Sequence, residues 1–292
     1  MTKNQKRNIR KEVTDKILAA LKTGVAPWVT PWNPVGGVNV NVKTGKSYRG
    51  INVWLLNLAR LDFGYTSNEW LTYKQAKSLS TEDNTVSVRK GERGHPIVFW
   101  QIINKTDGAG NESSYPLMRH YTVFNRDQVE GLPEVEVEDV PQHERHAKAE
   151  ATIDAYGADI VYGGDKAFYN RTTDQVTVPE LVTFHNPESF YSTVFHELVH
   201  QTGAPNRLNR EKGKAFGDTL YAKEELVAEL GAAFLCAEHE ISGELQHEGY
   251  IASWIRALEN DTNFIFSASS KAQKAADYIT DPKARRDAAK AA

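Results

Sequence analysis

The most informative segment of this sequence is Phe195-His196-Glu197-Leu198-Val199-His200, because it contains the pattern His-Glu-x-x-His. Residues four apart on an α-helix lie on the same face, so His196 and His200 can present imidazole nitrogens to one metal ion. Glu197, one step round the helix, can reach a water molecule on that ion. The spacing therefore predicts two metal ligands, His196 and His200, with Glu197 as the catalytic general base.

The residues on either side of the motif predict the helix that carries it. Asn186 can cap its start, Pro187 suits the first turn, and Gly203 followed by Pro205 ends it. A predicted strand at residues 173–179 precedes this helix. An exposed edge strand beside such a helix is where an extended peptide can add by backbone pairing.

A third protein ligand is expected from a second predicted helix, residues 221–239, in which Glu225 and Glu229 lie four apart beside apolar residues. Two carboxylates that face a core are costly unless a cation binds them. We assign Glu225 as the third ligand and Glu229 as the acceptor for the second N–H of a ligand histidine, with the swapped assignment as the alternative. Three such ligands with one open position are typical of catalytic Zn²⁺, and another divalent transition metal is the alternative. Candidate donors to a developing oxyanion are Tyr191, Tyr221 and His239.

Charge is distributed unevenly along the chain. Residues 1–126 contain 19 lysines and arginines against 9 acidic residues, whereas residues 127–292 contain 16 against 29. Five of the six tryptophans also lie in the first part. A basic region rich in aromatic residues is typical of nucleic-acid binding. We predict an α+β protein with a small DNA-binding domain at residues 1–127, an acidic linker at 128–146 and a metal-binding domain at 147–292.

Cationic loops of the first domain carry the candidate contacts to single-stranded DNA. Lysine and arginine can neutralise phosphates while an aromatic ring stacks on a base, which is the combination that single-strand binders use. The candidate contacts are Lys43, Lys46, Tyr48, Arg49, Trp32, Arg89, Lys90 and Arg93.

The composition excludes several classes of protein. With 40% hydrophobic and 25% charged residues, the chain is not a disordered or collagen-like sequence. Its net charge of -3 excludes a histone-like protein. The single cysteine, Cys236, excludes an intramolecular disulfide and a zinc finger or ribbon. Without a signal peptide or a long apolar run, we expect a cytoplasmic protein with no membrane partner.

Several short motifs occur along the chain in the order found in one known family. In the first half they are Pro31-Trp32, Tyr48-Arg49-Gly50-Ile51-Asn52-Val53, Trp70-Leu71-Thr72-Tyr73, Val88-Arg89-Lys90-Gly91-Glu92 and Tyr121-Thr122-Val123-Phe124-Asn125. In the second half they are the His-Glu-x-x-His segment, Arg207-Leu208-Asn209-Arg210 and Glu224-Glu225-Leu226-Val227-Ala228-Glu229. The first set resembles the N-terminal single-stranded-DNA-binding domain of ArdC-type antirestriction proteins. The second set is similar to the zincin-like metallopeptidase domain that follows it in that family.

This resemblance implies a protein of a plasmid or other mobile element that binds incoming single-stranded DNA and protects it from host restriction during conjugation. It also implies a metal site of two histidines and a glutamate, the gluzincin arrangement. One hypothesis is that the metal domain is an active peptidase whose substrate is a host restriction protein or another protein. The alternative is a non-catalytic single-stranded-DNA-binding protein in which the metal is structural. Acidic mimicry of DNA by the second half is a third interpretation.

Overall fold

The computed structural model describes residues 8–28, 38–106, 112–133, 142–210, 219–242 and 250–291. It divides the chain into two compact units. The sheet unit comprises Val38–Glu136, and the helical unit comprises Met1–Gly37 together with Val137–Ala292. The predicted α+β class is confirmed, and each unit has a sheet of its own.

The first helix, α1 (Ile9–Lys22), belongs to the helical unit, although the sequence-based boundary at residue 127 placed it with the basic domain. Its apolar stripe is the physical reason, since Val13, Ile17 and Leu21 are buried in that unit. Just after the helix, Trp28 makes an edge contact with Trp254, with ring centroids 5.8 Å apart. The sheet unit, which lacks α1, has 12 lysines and arginines against 11 acidic residues, so its charge is nearly balanced.

The described residues of the sheet unit form two α-helices and six strands in two small sheets. Its helices are α2 (Ile51–Phe63) and α3 (Tyr73–Lys77). Its strands are β1 (Val40–Asn41), β2 (Glu69–Leu71), β3 (Ser87–Val88), β4 (His95–Thr106), β5 (Glu112–Asn125) and β6 (Val129–Glu130). The larger sheet has the order β1-β2-β5-β4, with β1 and β2 parallel and the other pairs antiparallel. The smaller sheet pairs β3 with β6.

Polar side chains connect the elements of this unit. Asn52 of α2 donates to the carbonyl of Val98 and accepts from its amide, both at 2.8 Å, which fixes α2 against β4. Trp70 lies in β2, and the helix that follows begins only after Thr72. Thr72 and Gln75 form a capping box, and this local signal sets the start of α3.

The helical unit surrounds a three-stranded sheet in which β7 (Ile160–Tyr162) pairs parallel to β9 (Gln175–Val178), and β8 (Phe168–Asn170) pairs antiparallel to it. The sheet order β7-β9-β8 makes β9 the central strand. The predicted edge strand is thus internal, and β8 lies at the edge. The remaining helices are α4 (Gln142–Tyr156), α5 (Pro187–Thr202), α6 (Thr219–Glu238), α7 (Ile251–Asn260), α8 (Phe264–Thr280) and α9 (Pro282–Ala291).

Helices α5 and α6 pack unusually closely at one point. A Cβ added at Gly231 of α6 would lie 2.7 Å from Cγ2 and 2.9 Å from Cγ1 of Val199 on α5. Only glycine therefore leaves room for Val199 at this contact. Every helix in the described ranges is too short or too polar to cross a membrane.

Candidate functional site

The metal-ligating side chains predicted from the sequence come together where α5 and α6 meet. The helix around the motif begins as expected, with the Asn186 side chain accepting from the amide of Ser189 at 2.8 Å. Nε2 of His196 and Nε2 of His200 lie 3.1 Å apart. The Glu225 carboxylate lies 3.5 Å from the first nitrogen and 3.6 Å from the second. These three residues are the group of possible metal ligands found in the described part of the chain.

The spacing of these donor atoms fits one small cation. Two donors that are each 2.0–2.1 Å from a tetrahedral ion lie about 3.4 Å apart. The two nitrogens are 3.1 Å apart, and each lies 3.5 or 3.6 Å from a different oxygen of the Glu225 carboxylate, which is close to that value. His196 and Glu225 are almost completely buried, so the donors are held in place by packing. The nitrogen and oxygen donors of this set are those that bind a divalent transition metal.

A second acidic residue, Glu224, contacts the His200 ring on the side that faces away from this cluster. One of its carboxylate oxygens lies 3.5 Å from Nδ1 of His200, on the side of the ring away from the cluster. Arg210 donates to the same carboxylate through Nη2 at 2.7 Å and through Nε at 3.1 Å. Glu224 is thus the carboxylate positioned to accept the second N–H of His200, a role that the sequence analysis gave to Glu229. Glu229 is also buried, at 3% exposure, further along α6.

The electrostatics of the cluster follow from these contacts. Burial lowers the pKa of His200, but contacts with Glu224 and Glu225 outweigh that effect and raise the pKa to about 9. Burial raises the pKa of Glu224, but His200 and Arg210 outweigh it and lower the pKa to about 2. The two histidines likewise hold the pKa of Glu225 well below its usual range, against the effect of burial. Both carboxylates are therefore ionised at neutral pH. The charge of Glu224 is balanced by Arg210, and that of Glu225 faces the two histidines, where it attracts a cation.

A cleft of about 200 Å³ opens onto the cluster. Glu197 lines it beside the two histidines and is 7% exposed. Tyr221 also lines it, and the pKa of its phenol is raised by burial and by the Glu225 carboxylate, so the hydroxyl keeps its proton at neutral pH. The Tyr221 side chain is hydrogen-bonded to Tyr250 and Glu225, at the edge of the cluster. The other two candidate oxyanion donors have partners away from the cluster. Tyr191 donates to Glu150, and His239 contacts Thr152 and the Leu235 carbonyl.

One wall of the cleft is formed by β8 and the turn that follows it. Phe168 and Tyr169 line the cleft, together with Ala167 and Arg171. Within the described part of the chain, β8 pairs with β9 on one side only, and its other edge can form backbone hydrogen bonds. The cleft thus combines a cation-attracting cluster, an acidic residue and a strand edge.

Comparisons with known proteins agree with both units. Residues 7–124 match the family model for the N-terminal domain of the anti-restriction factor ArdC, and residues 147–271 match the model for a zincin-like metallopeptidase. A crystal structure of the metal-free antirestriction protein ArdC from plasmid R388 superposes with a TM-score of 0.79 at 38% sequence identity, covering 94% of this chain and 97% of that one. The Mn(II)-bound structure of the same protein gives a TM-score of 0.77.

The chain belongs to the ArdC antirestriction family.

Two further relatives of this ArdC-family chain differ in length. An uncharacterised protein of Sinorhizobium fredii, y4eC, is 38% identical over 286 residues, which is 93% of this chain and 91% of that protein. The DNA primase TraC of Escherichia coli is 35% identical over 297 residues, but this chain spans only 20% of the primase.

The ArdC N-terminal region of this chain contains a second concave site, a groove of about 780 Å³ in the sheet unit. Three of the DNA-contact candidates, Lys46, Tyr48 and Arg49, line it. Tyr48 is nevertheless 8% exposed and packs in the core, where Asn41 donates to its hydroxyl at 3.1 Å. The Tyr48 ring is therefore not available for stacking as expected.

The other DNA-contact candidates do not line this groove. Lys43 donates to the Ser78 hydroxyl at 2.6 Å. Arg89 is bound to Glu92 and to the carbonyl of Asp127. Neither Lys90 nor Arg93 borders the groove. The remaining candidate, Trp32, lies outside the described residues.

Residues of the long β4–β5 hairpin supply the aromatic and cationic surface that sequence reasoning missed. Phe99 and Tyr121 line the groove, are 48% and 46% exposed, and contact each other edge to face at 5.5 Å. Arg119 is paired directly with Phe99 in the strand register and therefore lies on the same face. The alternation of apolar and polar residues could have indicated the strands β4 and β5. It does not indicate the register that aligns Phe99, Arg119 and Tyr121.

Proposed function

We propose that this protein is an antirestriction protein that binds incoming single-stranded DNA through the groove of its sheet unit. We further propose that its helical unit hydrolyses peptide bonds of a host protein, with His196, His200 and Glu225 as metal ligands. The observation that carries the peptidase part is the cluster of two imidazole nitrogens, 3.1 Å apart, with the Glu225 carboxylate 3.5 and 3.6 Å from them, beside the buried carboxylate of Glu197. The site of action would be the cytoplasm of the cell that receives the DNA.

The metal of this proposal is zinc. Two imidazoles and one carboxylate with an open position are the ligand set of many catalytic zinc sites. A divalent metal is further supported by the manganese in the structure of ArdC from plasmid R388. Equilibrium dialysis of the full chain against zinc and manganese in competition tests this choice, and a tighter complex with manganese would overturn it.

The chemistry follows from the residues that line the cleft. A divalent ion held by the three ligands would polarise a peptide carbonyl and lower the pKa of a water molecule to about 7. Glu197 is placed to take a proton from that water and to pass it to the leaving amine. Tyr221, which keeps its proton, can donate to the carbonyl oxygen as negative charge develops there. Backbone pairing with β8 would hold the peptide extended across the cleft.

A matched pair of strains tests the peptidase activity in its biological setting. Recipient cells that express either the full chain or its Glu197→Gln variant are compared for new protein N-termini by mass spectrometry. We expect a set of new N-termini that is present with the parent and missing with the variant, while the purified variant still binds metal. The same set of N-termini in both strains would exclude Glu197-dependent proteolysis.

The DNA-binding part of the proposal is supported by the composition of the groove. Two exposed aromatic rings, Phe99 and Tyr121, lie on the same sheet face as Arg119. Lys46 and Arg49 line the groove near them. Rings that stack on bases beside cations that contact phosphates are typical of single-strand binding without sequence preference. Crosslinking of the full chain to an oligonucleotide tests this directly, and crosslinks confined to residues outside the groove would contradict it.

A second candidate function keeps the DNA binding but makes the metal structural. The observation in its favour is that the ligands belong to two different buried helices, so that an ion would join α5 to α6. In that case the parent and the Glu197→Gln variant should protect plasmid DNA from restriction equally well. Removal of the metal with EDTA should lower the melting temperature and leave affinity for single-stranded DNA nearly unchanged. A Glu197-dependent loss of protection would decide against this alternative.

A further inference from the structure

One arginine of the helical unit, Arg171, lies where the metal cleft meets a neighbouring pocket. Arg171 is exposed in the turn after β8 and lines the cleft. It also lines an adjoining pocket of about 340 Å³. Tyr169 borders both cavities as well, so the two lie side by side along this edge. A peptide that extends along β8 past the metal ligands would reach Arg171.

The other charged side chains of the adjoining pocket are already paired. Asp174 accepts from Arg207 through both of its oxygens, at 2.8 and 2.6 Å. Arg210 donates to Glu224, as described above. Arg171 therefore carries the one charge lining this pocket that has no ionic partner among the described residues. Its guanidinium is available to an outside anion.

We propose that Arg171 binds a carboxylate of the peptide that lies in the cleft, and so selects substrates with a negative charge near the cleaved bond. This inference rests on the proposed peptidase function. A guanidinium is suited to the role because it binds a carboxylate through two parallel hydrogen bonds. The carboxylate can come from an acidic side chain or from a free C-terminus, since both present the same group.

Binding of peptides to an inactive holoprotein separates this inference from catalysis. The full chain with Glu197→Gln, loaded with zinc, is titrated by fluorescence anisotropy against labelled pools of hexapeptides built from Ala, Val, Ser and Asn. One pool is amidated, the second has a free C-terminus, and the third is amidated but contains one Asp or Glu. We expect one or both carboxylate pools to bind about tenfold more tightly than the neutral pool.

Two charge reversals complete the design. Arg171→Glu should abolish the preference for carboxylate pools, whereas Lys166→Glu, at an exposed position that lines neither cavity, should retain it. Both variants change the net charge equally. Equal binding of all three pools, no binding of any pool, or a preference that survives Arg171→Glu would overturn the inference.

Cleavage of the same pools by the parent protein is measured separately. A carboxylate preference in binding without any cleavage would reject the peptidase proposal and leave the role of Arg171 intact. Cleavage without a carboxylate preference would reject the role of Arg171 and leave the peptidase proposal intact.

Discussion

Arg210 and Glu224 form a buried, two-point ion pair directly behind the candidate metal ligand His200. The guanidinium donates to both carboxylate oxygens, at 2.7 and 3.1 Å, and both side chains are at least 94% buried. Arg210 also donates to the carbonyl of Val199 at 2.6 Å and to the hydroxyl of Thr202 at 2.7 Å. The arginine thus ties the end of α5 to α6 and fixes the carboxylate that faces the His200 ring.

Loss of this ion pair should weaken both the fold and the metal site. Arg210→Met leaves Glu224 buried without its cation, which is expected to cost about 3–5 kcal/mol of unfolding free energy. Replacement of the group that orients a ligand histidine is expected to reduce metal affinity about 10- to 100-fold. Thermal unfolding and metal titration measure the two effects. Arg256→Met, which removes an exposed arginine from the same unit, is the control and should change neither by much.

Gly231→Ala should separate the helices that carry the metal ligands. The added methyl group would overlap the side chain of Val199, which is next to His200 in sequence, so α5 and α6 would have to move apart. We expect a loss of about 1–3 kcal/mol in unfolding free energy, measured by chemical denaturation, and weaker metal binding. Val199→Ala should partly rescue the variant. If the effects of the two substitutions simply add, the close contact is not the cause.

Substitutions in the groove of the sheet unit should affect DNA binding in two distinct ways. Tyr121→Ala removes a stacking ring and should lower affinity for single-stranded DNA by roughly 5- to 150-fold, or about 1–3 kcal/mol. Arg119→Gln should reduce the slope of log affinity against log salt concentration by about 0.7. Anisotropy titrations at several salt concentrations measure both. Arg93→Gln removes an exposed cation outside the groove, and an equal change of slope in that variant would contradict the assignment.

The ion pair between Asp174 and Arg207 predicts a pH dependence of stability. The Arg207 guanidinium lowers the pKa of Asp174 below its ordinary value of 3.8. A carboxylate whose pKa is lower in the folded state stabilises the fold above its unfolded-state pKa, and this contribution is lost as the pH falls through the folded-state pKa. Because the Asp174 side chain is 45% exposed, the effect is modest, below about 1 kcal/mol.

The Asp174→Asn variant tests this dependence, because asparagine also tolerates the positive φ of 57° found at this position. We expect its melting temperature to lie up to about 3 °C below that of the parent at pH 7. The difference should shrink as the pH is lowered below 3.8. A difference that stays constant over this range would show that the charge of Asp174 is not responsible.

The parts of the site that depend on local spacing were predictable from sequence. His196, His200 and the Asn186 cap lie on one helix, and a helix fixes the relative positions of residues a few places apart. Glu225 was expected on a second helix with one buried side, and α6 brings it to the two histidines; its role as a ligand stays a prediction. The choice between Glu225 and Glu229 needed the packing of α6 against α5, which no single helix encodes.

The parts that depend on long-range pairing were not predictable. Arg210 reaches Glu224 across 14 positions and a change of direction between two helices. Arg119 joins Phe99 only through the register of a long hairpin. Trp70 is held in its strand by a buried indole that donates to Asn39, a residue 31 positions earlier in the chain. In each case tertiary contacts, rather than local preference, determined the position.

The burial of α1 in the helical unit makes that unit a discontinuous domain, with the sheet unit inserted between its two segments. The polypeptide therefore connects the sheet unit to the helical unit at both of its ends. A single protease cut between the units, on either side of the insertion, would leave two fragments that still associate through the buried face of α1 and its Thr14 hydrogen bond to Thr262. An isolated C-terminal fragment that begins at residue 147 would lack this helix and expose the surface that α1 covers.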